Sequence, residues 1–340
     1  MNDKFPKFTP RKYLSNGHAQ TIVNIVFPPK NTLRENYLFE DILIDTLDDT
    51  GDILWLEHNF PLESFQEHSL AFNGYYIILL HGMEGTTESH YMITLTKAAL
   101  EKGFGVIRVN LRGCGRGEGY SHKAYHAGKT EDLEAIENFV YKNITKKFIF
   151  CGYSLSANMV LKHFGENKKI RASYFSAVSP PLDLKSSCEY IDSKEAKFYR
   201  DHFLAGVRKK IRSGVYKMSP VMMKSAFSAK TMFDFDDWVS APFHGFKGAL
   251  DYYKKSSSKN FIYNIKKRGI VIHADDDPIV PSYNYHSIQW KKIPNITSIL
   301  TVGGGHVGFI SSKSNQIPDG RWADKIILDY FLRQIEEDED

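Results

Sequence analysis

Short strand-like runs of apolar residues recur along the chain and alternate with stretches of helical periodicity. The strand-like runs lie at residues 75–80, 105–110, 147–151, 172–178, 269–273 and 297–302. A run such as 75–80, apolar at every position, is typical of a strand buried on both faces of a sheet. The stretch 130–142 is amphipathic, with Leu133, Ile136 and Val140 on one stripe. Strands alternating with helices predict an α/β fold with a mostly parallel sheet and helices on both faces.

The remaining periodic segments complete this pattern. Further helical stretches lie at residues 91–102, 157–164 and 321–335. Residues 37–45 and 52–58 are short apolar runs separated by Asp48-Asp49-Thr50-Gly51, which predicts a hairpin. Residues 1–35 contain four prolines and no clear period, so we expect an irregular arm that packs on the core.

The alternation of strands and helices breaks between residues 182 and 265. This segment has no strong strand pattern and is rich in aromatic and basic residues, which predicts a helical cap or lid insertion. It falls above the carboxyl ends of the strands, where open α/β sheets bind ligands. We therefore expect one core domain formed by 36–181 and 266–335. The acidic residues 336–340 are expected to fray in solvent.

Composition limits the classes of function. The chain has 340 residues, of which 42% are hydrophobic and 25% charged, as in a soluble globular protein. A net charge of +4 is too small to indicate nucleic-acid binding. Three cysteines suggest no disulfide framework, which fits a reducing, cytoplasmic location. Without a signal-peptide core or a membrane-length apolar run, any contact with lipid is expected to be peripheral.

The segment Gly152-Tyr153-Ser154-Leu155-Ser156 lies between a strand-like run and a helical stretch. A sharp turn there would hold a serine in a strained conformation with its hydroxyl clear of the sheet, as a nucleophile elbow does. The positions two before and two after Ser154 must be small, because strand and helix nearly touch. Gly152 meets this requirement, whereas Ser156 stands where glycine is usual. An ordinary β–α turn is the alternative interpretation.

A serine nucleophile needs a base, and the base needs a third group to orient it. After an elbow these follow in the order serine, acid, histidine. His306, flanked by glycines after the last strand, is the candidate base. Asp277 is the preferred acid, because the segment Asp-Pro-x-Val-Pro places its carboxylate at the turn out of a buried strand. Asp276 is the second choice and Asp275 the third. Together with His273 these aspartates could also form a metal site, although no other ligand spacing supports one.

The negative charge that develops on a carbonyl oxygen needs preorganised donors. The backbone N–H of Leu155, directly after the nucleophile, is one candidate. The loop His81-Gly82-Met83-Glu84-Gly85 follows an earlier strand and offers the Met83 N–H as the second. His81 and Gly82 are expected to support this loop, His81 through a hydrogen bond rather than as a base.

Four glycines at positions 113, 115, 117 and 119 could suggest a phosphate cradle. A dinucleotide fingerprint requires a helix to begin at once, and here residues 120–126 intervene. We therefore expect no nucleotide cofactor.

The chain resembles the YheT-like branch of the α/β-hydrolase superfamily in motifs spread from about residue 8 to 335. In the core these motifs are the elbow, Asn16-Gly17-His18-Ala19-Gln20-Thr21, His81-Gly82-Met83-Glu84-Gly85 with Ser89-His90-Tyr91, and Asn110-Leu111-Arg112-Gly113. In the insertion they are Phe233-Asp234-Phe235-Asp236-Asp237, Ala241-Pro242-Phe243-His244-Gly245-Phe246 and Asp251-Tyr252-Tyr253. The departure is Ser156-Ala157, where the family usually has two glycines.

This resemblance implies an α/β-hydrolase fold and a serine ester hydrolase whose small-molecule substrate is a short- to medium-chain ester, an acylglycerol or a phospholipid. It carries over a triad of Ser154, Asp277 and His306 and requires no cofactor or metal. A thioesterase or acyltransferase would use the same residues, so the sequence leaves these activities open. A non-catalytic binding protein on the same fold is a further alternative. The sequence does not indicate the oligomeric state.

Overall fold

The computed structural model describes residues 5–62, 71–166 and 169–339. These residues form an eight-stranded sheet in the order β1-β2-β4-β3-β5-β6-β7-β8. The strands are β1 (Phe39–Asp45), β2 (Ile53–Asn59), β3 (Tyr76–Leu80), β4 (Gly105–Asn110), β5 (Phe148–Tyr153), β6 (Tyr174–Val178), β7 (Gly269–Ala274) and β8 (Ile296–Thr301). The predicted α/β-hydrolase fold is confirmed, as are the predicted strands to within two residues at most ends.

Strand directions follow from the connections. The predicted hairpin is present, because β1 pairs antiparallel with β2, which pairs antiparallel with β4. The pairs β4–β3, β3–β5, β5–β6, β6–β7 and β7–β8 are all parallel. Parallel neighbours require crossover connections, which the helices supply. The carboxyl ends of six strands therefore meet at one edge of the sheet.

Helices cover both faces of the sheet. The helices are α1 (Gly17–Val26), α2 (Leu33–Asn36), α3 (His90–Glu101), α4 (Thr130–Asn143), α5 (Leu155–Glu166), α6 (Leu184–Ile191), α7 (Lys197–Arg212), α8 (Pro220–Ser228), α9 (Met232–Phe235), α10 (Ala241–Phe243), α11 (Ala249–Ser256), α12 (Tyr283–His286) and α13 (Trp322–Glu339). Alternate β3 residues separate the two layers: Ile78 and Leu80 pack with α4 and α5, whereas Ile77 and Leu79 pack with α3 and α13. None of the helices in the described ranges is both long and apolar enough to cross a membrane.

The segment between β6 and β7 contains helices α6 to α11 and no strand among its described residues. A five-residue π-helix, Asp236–Ser240, joins α9 to α10. The segment has a hydrophobic cluster of its own, to which Tyr199, Phe235, Tyr252 and Tyr253 contribute. Some of its aromatic residues therefore form a core for the inserted helices themselves.

Arg112 joins the hairpin to the helical layer. It follows β4 and is fully buried, and its guanidinium contacts carboxylate oxygens of Asp48, Asp52 and Asp132 at 2.7, 2.8 and 2.5 Å. Although burial opposes its charge, the carboxylates of Asp132 and Asp48 hold the pKa of Arg112 above its ordinary value. An ion cluster of this kind is costly to break, because removal of the arginine would leave buried carboxylates without a partner.

Two predictions about the chain ends are wrong. The arm 1–35 is not irregular throughout, because residues 17–26 form α1, whose N-cap Asn16 accepts a hydrogen bond from the Ala19 N–H. The acidic tail is not frayed through 336–339, because α13 continues to Glu339. Arg268 forms ion pairs with Glu337 and Asp338, which holds this last turn against the core. Residues 1–4 and 340 lie outside the described residues.

Candidate active site

Ser154 occupies a sharp turn between β5 and α5. Its φ is +52°, a left-handed conformation that costs a non-glycine residue free energy. The Ser154 N–H donates to the Val178 carbonyl at 2.8 Å, which ties the turn to neighbouring β6. This is the geometry of a nucleophile elbow rather than of an ordinary β–α turn.

Gly152 allows the elbow to close. A Cβ at this position would lie 2.5 Å from the Ser156 carbonyl oxygen, well inside van der Waals contact. Backbone atoms at the start of α5 would have to move to make room for any side chain. The prediction of a small residue at position 152 therefore has a steric basis.

Substitution of Gly152 with alanine is expected to lower the free energy of unfolding by about 2 kcal/mol, because overpacking forces the strand and helix apart. It should also lower kcat, because Ser154 moves with the turn. Thermal melting and steady-state kinetics measure the two effects. Gly117→Ala is the matched control, since its Cβ would meet its nearest neighbour at an ordinary 3.6 Å. Equal melting temperatures for the two variants would contradict the steric argument.

Ser156, where glycine is usual, is accommodated without opening the elbow. Its side chain is fully buried, and its Oγ donates to the His81 carbonyl at 2.5 Å. The hydroxyl therefore links the first turn of α5 to the loop after β3. A glycine could not form this link.

Three side chains form a continuous hydrogen-bonded chain. The Ser154 Oγ lies 2.8 Å from His306 Nε2, and His306 Nδ1 lies 2.8 Å from Asp277 Oδ2. The other carboxylate oxygen of Asp277 accepts the N–H groups of Ile279 and Val280 at 2.8 and 2.9 Å. Burial alone would raise the pKa of Asp277, but His306, His273 and the Val280 N–H bring it below its ordinary value. Asp277 is thus held as a carboxylate facing the imidazole.

The other two aspartates have different partners. Asp276 Oδ1 accepts the Gly305 N–H at 2.8 Å, so this carboxylate supports the loop that carries His306 rather than the imidazole itself. Burial raises the pKa of Asp276 above its ordinary value. Asp275 faces the half-exposed His286 at 3.4 Å. His273, the histidine of the alternative metal site, is buried with its ring stacked on Tyr285.

The loop after β3 brings backbone donors to the serine. Met83 and Leu155 line the same cavity as Ser154, and neither backbone N–H donates to another residue in the described ranges. His81 braces this loop: Nδ1 donates to the Gly82 carbonyl at 2.7 Å, and Nε2 accepts the Leu111 N–H at 3.1 Å. Burial lowers the pKa of His81 to about 4, so the ring is neutral. With both nitrogens engaged, His81 supports the loop, as the sequence predicts.

The residue after Met83 connects this loop to the inserted helices. Glu84 has a φ of +58°, and its carboxylate pairs with Lys210 of α7 at 3.6 Å. Its N–H donates to the Tyr125 hydroxyl at 2.9 Å. A Cβ at Gly206, one helical turn before Lys210, would lie 2.6 Å from the Glu84 carboxylate. The loop that carries Met83 therefore packs against the inserted helix α7.

Helix α1 contacts the loop that carries His306, a feature that the sequence analysis did not anticipate. Thr21 Oγ1 accepts the His306 N–H at 2.9 Å and donates to the Gly17 carbonyl at 2.6 Å. Gln20 Oε1 accepts the Ile310 N–H at 2.8 Å, and Gln20 Nε2 donates to the Ile310 carbonyl at 2.9 Å. The motif Asn-Gly-His-x-Gln-Thr marks this segment in the sequence. It does not show which residues the segment contacts, because His306 and Ile310 lie almost 300 residues further along the chain.

A cavity of about 190 Å³ extends from Ser154 into the inserted helices. Most of its wall is apolar, including Leu184, Ile191, Val207, Phe235, Val239 and Phe243. Residues after β3, β5 and β7 complete it, so it lies over the carboxyl edge of the sheet. Phe235 belongs both to this wall and to the cluster of the inserted helices. The aromatic residues of this segment therefore line a pocket and also form its core.

Comparison with known proteins identifies the family of the chain. A sequence model of the family described as alpha/beta hydrolase fold matches residues 75–313. The chain is 26% identical over 341 residues to the Escherichia coli (strain K12) protein YheT, covering 97% of this chain and 94% of that protein. It is 28% identical over 257 residues to a Saccharomyces cerevisiae monoacylglycerol lipase, covering 72% of this chain and 56% of the lipase.

A solved structure supports the fold independently. An esterase from Pyrococcus furiosus superposes with a TM-score of 0.55 at 17% identity, covering 90% of this chain and 96% of that one. At that identity the likeness establishes the fold alone, whereas the family match spans most of the chain. The protein therefore belongs to the α/β-hydrolase fold family, and within it the chain is similar to the YheT-like branch of esterase- and lipase-type proteins.

Proposed function

We propose that the protein is a serine carboxylic-ester hydrolase that acts on short- to medium-chain acyl esters or acylglycerols. The observation that carries the proposal is the hydrogen-bonded chain from Asp277 through His306 to Ser154. A hydroxyl is a weak nucleophile unless a base within hydrogen-bond reach removes its proton. Each link in this chain is already 2.8 Å long, so the groups need no rearrangement before reaction.

In the proposed mechanism, Ser154 Oγ forms a bond with the ester carbonyl carbon while its proton passes to His306 Nε2. Asp277 orients the imidazole through Nδ1 and stabilises the imidazolium that forms. The tetrahedral intermediate collapses, and the alcohol departs with the proton from Nε2. Water then attacks the acyl carbon and gives a proton to Nε2, which forms a second tetrahedral intermediate. As the bond between Ser154 Oγ and the acyl carbon breaks, that proton passes from Nε2 to Oγ, which releases the acid and restores the serine.

The oxyanion of each tetrahedral intermediate is proposed to bind the N–H groups of Met83 and Leu155. Donors that are already in place stabilise this charge without reorganisation, and loss of one such donor typically costs about 10²- to 10³-fold in kcat. The buried bonds of His81 and Ser156 hold the Met83 loop against the elbow. The two donors therefore share one rigid support.

We further propose that residues 182–265 act as a cap over the site and that the acyl chain occupies the apolar cavity. The cavity begins at Ser154, and inserted helices supply most of its wall. Apolar walls with few polar groups are typical of sites that bury a hydrocarbon chain. The chain-length limit should therefore depend on cap residues such as Val207 and Phe235.

A serine-reactive fluorophosphonate probe tests the proposal directly. We expect covalent labelling that peptide mass spectrometry assigns to Ser154, together with hydrolysis of p-nitrophenyl esters that peaks at one acyl length between two and ten carbons. Thioesters of the same acyl groups are assayed in parallel. Label on another residue, or no turnover of any ester, would contradict the proposal. Faster turnover of the thioesters would instead assign a thioesterase.

A further inference from the structure

Two imidazoles lie next to each other in the wall of the mostly apolar cavity. His126 lies in the loop between β4 and α4, and His244 directly follows α10 of the inserted segment. Both line the cavity that contains Ser154, and their ring centroids are 4.5 Å apart. The catalytic proposal uses neither residue, although His244 belongs to one of the insertion motifs.

One hydrogen bond fixes the tautomer of His126, and burial keeps both rings of the pair uncharged. His126 Nδ1 accepts the Gly128 N–H at 3.2 Å, so in the neutral ring Nε2 carries the proton. Among the described residues nothing accepts from that Nε2, and the His244 ring has no hydrogen-bonding partner. Burial lowers the pKa of His126 well below its ordinary value and that of His244 to about 3. Both rings are therefore neutral near pH 7.

Two neutral imidazoles offer a donor and an acceptor side by side, which matches a hydroxyl group. The pair itself presents no charge to a carboxylate, a phosphate or an ammonium group. The carboxylates of Glu84 and Asp236 also line the cavity, but Glu84 pairs with Lys210 and Asp236 accepts a hydrogen bond from the Tyr253 hydroxyl. Polar groups of this kind in an apolar pocket orient the ligand. They also select against analogues that lack the hydroxyl group to which they would hydrogen-bond.

We propose that His126 and His244 form a subsite that hydrogen-bonds a neutral hydroxyl of the ester substrate. This proposal rests on the proposed ester hydrolysis and adds the substrate class, namely hydroxylated esters. The hydroxyl can belong to the alcohol part or to the acyl chain, and two pairs of esters distinguish these sources. The first pair is 1-monooctanoylglycerol and propyl octanoate. The second is methyl 8-hydroxyoctanoate and methyl octanoate.

The wild-type protein is expected to favour the hydroxylated member of one pair by about 10- to 100-fold in kcat/KM. His244→Phe should abolish that preference and leave kcat/KM for the plain ester of the pair within about threefold of wild type. His244→Gln, which retains a donor and an acceptor, should restore part of it. His122→Phe is the matched control, because this exposed histidine of the same loop does not line the cavity.

Equal kcat/KM within both pairs for the wild type would overturn the subsite, as would equal losses for plain and hydroxylated esters in His244→Phe. If His244→Phe does not fold, His126→Gln is measured in its place. Failure of the ester-hydrolase proposal would look different, because p-nitrophenyl esters would then also resist hydrolysis.

A second inference concerns α1 and rests on separate contacts. The His306 backbone N–H binds only one described side chain, the Thr21 hydroxyl, at 2.9 Å. A Cβ at Gly305 would lie 2.3 Å from the Gly17 carbonyl, so the loop and α1 are in direct backbone contact. Gln20 adds its two bonds to Ile310 on the other side of His306. Helix α1 thus contacts the loop that carries His306 both before this residue, at Gly305, and after it, at Ile310.

We infer that Thr21 and Gln20 are positioning residues for His306, given the proposed role of that histidine. Small displacements of a catalytic group can lower the rate about 10²-fold without changing substrate binding. Thr21→Val removes the hydroxyl with little change in shape. It is expected to lower kcat by about 10- to 100-fold, with KM within twofold of wild type, and Thr21→Ser should restore kcat to within about threefold.

Thr96→Val is the matched control, because Thr96 is equally buried and its Oγ1 also donates to the carbonyl four residues earlier, at 2.6 Å, but in α3. Equal losses of kcat for Thr21→Val and Thr96→Val would show that Thr21 supports the fold in general and does not position His306. A kcat within twofold of wild type for Thr21→Val would also refute the inference. Gln20→Met is measured instead if Thr21→Val does not fold. Activity retained by Ser154→Ala would overturn the proposed function itself.

Discussion

Replacement of Ser154 by alanine will lower kcat/KM for ester hydrolysis by about 10⁴- to 10⁶-fold, because the proposed nucleophile is removed. The imidazole and the backbone donors remain, so residual activity should come from water alone. Steady-state assays with the best p-nitrophenyl ester measure the loss. Fluorophosphonate labelling should vanish in the same variant.

The Ser154→Ala fold should be unaffected, since the alanine side chain is smaller and the β5–α5 turn is otherwise held by the bond to Val178. Its melting temperature serves as the internal check. Ser213→Ala, at the exposed end of α7, is the control for a lost hydroxyl and should keep full labelling. Labelling that survives in Ser154→Ala would assign the nucleophile to another residue.

Asp277→Asn should lower kcat by about 10³- to 10⁴-fold, although it changes neither size nor shape. The carboxylate accepts from His306 Nδ1, and the asparagine amide can instead donate to that nitrogen. The imidazole would then carry its proton on Nε2, where it can no longer accept the proton of Ser154. Comparison of kcat and KM for one ester separates this loss from any change in binding.

Asp276→Asn is the matched variant one position earlier. Its amide oxygen can still accept the Gly305 N–H, so kcat should stay within about fivefold of wild type. The two variants remove the same charge from the same loop and differ only in what the carboxylate contacts. A larger loss for Asp276→Asn than for Asp277→Asn would show that the acid has been assigned to the wrong residue.

Local patterns were sufficient to predict most of the sheet. Strands such as β3 and β5 are buried on both faces, so their continuous apolar runs distinguish them from the amphipathic α4. The order of serine, acid and histidine likewise follows from where these residues stand relative to strand ends. In the structure His306 lies within hydrogen-bonding distance of both Ser154 and Asp277.

The features that escaped prediction depend on contacts between distant parts of the chain. Helix α1 begins with Gly17, a poor helix former, and packs its polar residues Gln20 and Thr21 inward against the histidine loop. A search for an apolar stripe does not detect a helix of this kind. The pairing of His126 with His244 is equally hidden, because the two residues come from different segments. The effect of Ser156 also required the structure, since its partner is the carbonyl of His81.

The contacts between α1 and the loop that carries His306 have a consequence for biosynthesis. The bonds from Thr21 to His306 and from Gln20 to Ile310 connect positions 285 and 290 residues apart. A nascent polypeptide on the ribosome can form the elbow long before Ile310 emerges, but it cannot yet seat the imidazole. The imidazole can therefore reach its position beside Ser154 only after residues 306–310 have been synthesised.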